Sequence, residues 1–219
     1  MSEVDVMVKS GQHSIQAVGE DNFVDWKGSK RGEGCVIDFY TEMILEGRGF
    51  QVKAGTVTTP LVGDVLIIDT AAELCVDAPQ GICDIIVFAN ISINLATGTL
   101  HEYAIKTVDA VSTGGTAFVP LLLLGDTDGS ACMSTARVTA EGGVTVSAEA
   151  ITTTRRLWSV SNPLIVAAGH EITTHNYQPR MPHAIANAGC CYMQIGAAGT
   201  GPSYFATLDF IELPWVSVS

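Results

Sequence analysis

Lysine disappears from this chain after Lys106, and beyond it only Arg137, Arg155, Arg156 and Arg180 carry positive charge. Charge of either sign is scarce, because charged residues make up 16% of the chain against about 25% in an ordinary globular protein. With a mean hydropathy of +0.31, few charges remain to cover a solitary monomer. The expectation is burial of further surface in an oligomer or a larger assembly; the alternative is a monomer dressed in Thr, Ser and Asn. Lysine is depleted from interface cores, so the lysine-free half is where subunit contacts are expected.

Other absences narrow the function. The net charge of −12 argues against a phosphate-backbone partner, which needs clustered Lys and Arg. The one short basic run, Lys27 to Arg31, reads as a solvated loop. No apolar run approaches the ~20 residues that cross a bilayer, and the acidic Met1–Val6 stretch has no apolar segment, so neither a membrane span nor a secretory signal is expected. The six cysteines, Cys35, Cys75, Cys83, Cys132, Cys190 and Cys191, show no C-x-x-C spacing and sit in apolar runs. They read as buried thiols of a reducing compartment rather than a disulfide framework. No repeat of roughly 20–50 residues exists to build a solenoid or propeller.

What is present is strand. At 219 residues the chain suits one large all-β unit. Residues 1–33 read as a polar N-terminal arm with apolar anchors at Phe23, Val24 and Trp26, and residues 34–219 as an antiparallel β-sandwich. Apolar segments recur at intervals over Cys35–Leu45, Phe50–Val57, Asp64–Asp69, Ile82–Leu95, Leu100–Val111, Ala117–Leu124, Cys132–Ala140, Val144–Ile151, Leu164–Val166 with Glu171–Thr174, Cys190–Ile195 and Tyr204–Leu213. The last is a closing strand in which Phe205, Leu208, Phe210 and Ile211 can pack. Two hairpins are expected, one joining Ile91–Leu95 to Leu100–Ile105 through residues 96–99, the other joining Ser134–Ala140 to Val144–Ala148 through Glu141, Gly142 and Gly143. The best helical signal is a turn over Thr70–Cys75.

Chemistry-bearing patterns fall short of a signature. His170-Glu171 with His175 resembles the H-E-x-x-H zinc motif, but the histidines are five apart in a strand-like segment, which sends them to opposite faces. The spaced His and Glu of a cupin are absent, and His183 reads as an ordinary loop histidine. Gly125 to Ser130 opens like a calcium loop through Asp126 and Asp128 yet lacks the later ligands, so a capped turn is the reading. Cys190-Cys191 has no His or Asp placed by sequence to activate it, and one of the pair should face the core. The Gly-rich stretches 112–116 and 196–201 match no phosphate-binding fingerprint and read as turns. Arg155-Arg156 reads as a salt-bridging pair. No catalytic, cofactor-binding or metal-binding residue is assigned, and no enzymatic activity is expected.

The polar arm, the Thr/Ala/Gly-rich hairpins, the low charge and the final strand Ser203 to Glu212 together resemble the jelly-roll structural proteins of viruses, and most closely the cement or decoration proteins of tailed-phage heads. That resemblance implies a homotrimer bound to a major capsid protein on the virion surface, made in the host cytoplasm, without nucleic-acid or membrane contact. Residues 1–50 hold five Lys/Arg against nine Asp/Glu, whereas a genome-packaging coat carries a basic arm, so an outer-surface role is favoured. The alternatives are a major or minor jelly-roll coat protein and a trimeric receptor- or carbohydrate-binding head.

Overall fold

The computed structural model describes residues 39–66, 68–96, 101–125, 132–139, 143–161, 172–179 and 182–217, and the backbone of residues 8–9 and 23–24. Nine principal strands carry the fold: β1 (Gly49–Ala54), β2 (Leu74–Asp77), β3 (Ile82–Leu95), β4 (His101–Val108), β5 (Thr154–Ser161), β6 (Thr173–Tyr177), β7 (His183–Ala186), β8 (Cys190–Ala197) and β9 (Ser203–Pro214). One sheet runs β1-β9-β3-β6, with β7 continuing beside β3 and the short strand Leu121–Leu122 outside β1. The other runs β2-β8-β4-β5, extended past β2 by Thr135–Val138 and then Thr116–Phe118. All these pairs are antiparallel. First pairs with last, second with next to last, and so inward to β4 with β5. It is the order produced when one long antiparallel hairpin is folded over on itself.

Period-two patterning explains which side of each strand goes inward. Along β9, Tyr204, Ala206, Leu208 and Phe210 are buried while Phe205, Thr207 and Asp209 are half-buried. Across the sheet Leu208 lies beside Val52 and Ala89, and Ala89 beside Tyr177. These side chains meet Leu74, Val76, Ile105, Cys191, Met193 and Ile195 of the second sheet in one core. β8 is buried at every position. Its outward face is covered by a small sheet of Ala71–Ala72, Val144–Thr145 and Thr113–Gly114, which with Val146 encloses Cys75, Val108, Cys190 and Tyr192.

Several expectations are corrected. The strands β3 and β4 exist, but they belong to different sheets and do not pair as a hairpin. Thr135–Val138 likewise pairs with β2 and Thr116–Phe118, while Val144–Thr145 pairs with Ala71–Ala72 and Thr113–Gly114. Of residues 70–75, expected as a helical turn, Ala71–Ala72 and Leu74–Cys75 are strand with a bend at Glu73 between them, and all four strand residues are buried. The one α-helix among the described residues is Phe39–Leu45, inside a segment expected as a strand. It seats Met43 on Ile211 and Leu213, outside the first sheet, and ends at Gly47, whose φ of 73° suits a left-handed helix terminus. β2, β5 and β7 had no counterpart among the expected strands, while β6 overlaps the expected Glu171–Thr174 segment. Of the arm, Val8–Lys9 and Phe23–Val24 form an antiparallel two-stranded ladder; Trp26 and the Lys27–Arg31 run lie outside the described residues.

Candidate functional site

His175 stands on the inward row of the first sheet, in register with Ile91. Its ring lies 5.6 Å from Tyr103 and 5.9 Å from Trp158, both from the opposing sheet. Burial holds its pKa below the usual histidine value, and its Nε2 is buried without a hydrogen-bond partner. A neutral ring closing one edge of the core fits this environment. His170 and Glu171 lie outside the described residues, as do Asp126 to Ser130 of the calcium-like loop. Nδ1 of His183 meets the Tyr177 hydroxyl at 3.3 Å. Arg155 and Arg156 do form ion pairs, with Asp109 at 2.7 Å and Glu149 at 3.1 Å.

Three buried polar groupings escaped sequence reasoning. The first surrounds Lys106, which is 2% exposed and donates to Glu149 Oε2 and Gln194 Oε1, each at 2.6 Å. Gln194 in turn donates to the carbonyls of Ile68 and Ala71. Glu149 is held below its ordinary pKa by the Lys106 hydrogen bond. The only sequence signal was a lysine inside the largely apolar run Tyr103–Val108.

The second grouping comprises isolated buried acids. Glu73, 1% exposed, accepts the N–H of Asp64 at 3.2 Å and of Ile195 at 2.7 Å, tying the loop after Leu61–Val62 to β8. Burial pushes its pKa up to about 8. Asp84 is fully buried in register with Glu212, and neither of its oxygens has a well-formed hydrogen bond although the Ser134 hydroxyl is nearby. Its pKa too is raised by burial, to which the Glu212 charge adds. Glu212 is satisfied by the N–H groups of Met133 and Ser134 and by the Cys132 thiol.

The third grouping lies on the outward face of the second sheet. Asp77 accepts both the N–H and the hydroxyl of Ser112 at 2.7 Å, and Nε of Arg137 at 3.3 Å. Cys75 Sγ sits 3.0 Å from the same Ser112 hydroxyl. Cys190 is the cross-strand neighbour of Asp77, and ligand atoms of Cys75, Asp77 and Cys190 all lie within 4.8 Å of one another. Cys75, Cys83, Cys132, Cys190 and Cys191 are free thiols; Cys35 lies outside the described residues. Only one of Cys190 and Cys191 was expected in the core, yet both are buried because both faces of β8 are covered. Burial raises the pKa of both, so as free thiols they pack rather than attack.

The surface carries large exposed side chains at Val119, Leu121 and Leu124, along the segment that crosses from the edge of one sheet to the edge of the other, and at Val57, Leu66, Met133 and Ile151. Comparison with family models, curated proteins and solved structures returned no match.

Proposed function

We propose that this protein is a virion structural protein, a cement or decoration protein that binds the outer surface of a phage head as a homotrimer. The observation that carries the reading is the strand order. Two facing sheets in which β1 pairs with β9, β2 with β8, β3 with β7 and β4 with β5 are the arrangement expected of a double-sheet jelly roll, a fold shared by capsid and lectin domains. The surface favours the capsid role. Among the described residues the large exposed apolar side chains are aliphatic or Met, whereas a sugar-binding head presents aromatic platforms. Trp158 is half-buried beside His175 instead. The net charge of −12 suits a face turned away from packaged nucleic acid.

Edge strands supply the means of assembly. Leu121–Leu122 and Thr116–Phe118 end the two sheets, and Val119, Leu121 and Leu124 stand exposed there. An apolar edge without lysine is a template for pairing with another chain. Co-sedimentation with heads of the encoding virus tests the role: saturable binding that makes the heads harder to disrupt is the expected result. Failure to bind, or closure of the chain by itself into shells, overturns the decoration reading.

A further inference from the structure

The cluster on the outward face of the second sheet has the donor set of a small closed metal site. Cys75 and Asp77 are two apart on β2 and so share a face, and Cys190 sits directly across from Asp77 on β8. All three are buried, at 0%, 6% and 0% exposure. Ser112 brings a fourth donor from the loop after β4, its hydroxyl oxygen 3.0 Å from Cys75 Sγ and 2.7 Å from Asp77. We propose that Cys75, Asp77, Cys190 and Ser112 form a structural zinc site that clips β2, β8 and the loop following β4 together.

Three arguments lead to zinc. Two sulfurs with one carboxylate are soft enough to select a thiophilic dication and too few in oxygen for calcium or magnesium. With Zn–S bonds of about 2.3 Å, tetrahedral geometry sets two sulfurs about 3.8 Å apart. The ligand atoms already converge within 4.8 Å, so the closure needed is of the order of an ångström. The charges also balance: two thiolates and the Asp77 carboxylate meet Zn2+ and the Arg137 guanidinium, and sum to zero. Binding releases the two thiol protons to solvent, and the metal replaces them in a site that otherwise buries neutral thiols. Arg137 and the Ser112 N–H already hold the Asp77 carboxylate from outside, the support a ligating carboxylate usually has. The covering strands Ala71–Ala72 and Val144–Thr145 leave no open position for a substrate, so the site is structural.

Elemental analysis of the full-length protein purified without chelator should find about one zinc per chain. Zinc-edge X-ray absorption on that protein should show two sulfurs at about 2.3 Å and two lighter donors at about 2.0 Å. Metal-free protein given Co2+ should develop near-ultraviolet thiolate-to-cobalt absorption, lost in Cys75→Ser and Cys190→Ser but kept in Cys191→Ala, whose thiol faces the opposite side of β8. The absorption spectrum of the unaltered protein is read independently of whether any variant folds. Absence of bound zinc together with no cobalt absorption overturns the site. So does a first shell with no sulfur, absorption that survives Cys190→Ser, or a Cys75–Cys190 disulfide found by non-reducing peptide mapping.

Discussion

Glu73 and Asp84 are carboxyl groups buried where no cation meets them, and the pH dependence of stability should show it. The folded pKa of Glu73, about 8, lies above its ordinary value of 4.5, so the folded state holds a proton that the unfolded chain has released. Its contribution is therefore complete below about pH 4.5 and lost as the pH rises towards 8. Asp84, raised in the same direction, adds a loss of the same sign. Urea denaturation should find a fall of a few kcal/mol between pH 5 and 8. Glu73→Gln combined with Asp84→Asn should flatten that slope; an unchanged slope in the double variant would refute the assignment. Lys106 is the converse case of a buried cation with two partners. Lys106→Ala should cost roughly 3 kcal/mol, because it leaves the Gln194 Oε1 without its donor, leaves Glu149 with Arg156 alone and opens a cavity. Lys106→Met with Glu149→Gln should recover most of that in the same denaturation assay.

At the level of elements, close backbone approach and positive φ give the sharpest expectations. A Cβ on Gly201 would sit 1.9 Å from the Gly63 carbonyl oxygen, and the Gly63 N–H donates to Pro202 at 2.8 Å. Gly201→Ala should therefore lower the melting temperature by many degrees, and a drop of only a degree or two would mean the loop yields easily. Ala188 has a φ of 68°, a conformation costing a non-glycine residue about 1 kcal/mol. Ala188→Gly should be neutral to stabilising by up to about 1 kcal/mol, since relief of that strain opposes the added freedom of the unfolded chain. The strands themselves were largely legible: β3 spans Ile82–Leu95 as that apolar-rich segment implied, and β9 follows its alternation. Their partners were not, because alternation tells which side of a strand is apolar but not which sheet it joins. The sequence Ala96-Thr-Gly-Thr99 suits a link between two sheets as well as a hairpin turn. Thr70–Cys75 carries helix-forming Ala, Glu and Leu, yet pairing of Ala71–Ala72 with Val144–Thr145, and of Leu74 and Cys75 with β8 and Thr135–Val138, takes it into two ladders. The polar cluster around Asp77 was invisible for a related reason. Its members come from residues 75, 77, 112, 137 and 190, and only the pairing of β2 with β8 and with Thr135–Val138 brings four of them together.

At the scale of the whole molecule, the chain combines a finished interior with an unfinished surface. The core is sealed from both sheets, while Val119, Leu121 and Leu124 remain exposed at 64%, 57% and 44% along a sheet edge. No lysine follows Lys106 to blunt that edge. A stable contact there needs about 1,000 Å² or more of buried surface. Leu121→Lys should weaken association by about tenfold or more while leaving the melting transition of the isolated chain within a degree or two, since the side chain already faces solvent. The central claim is that this sandwich exists to assemble, and sedimentation equilibrium of the full-length chain at micromolar concentration tests it most directly. The expected result is a single trimeric species that dissociates on dilution; a monomer that persists across the micromolar range would contradict it.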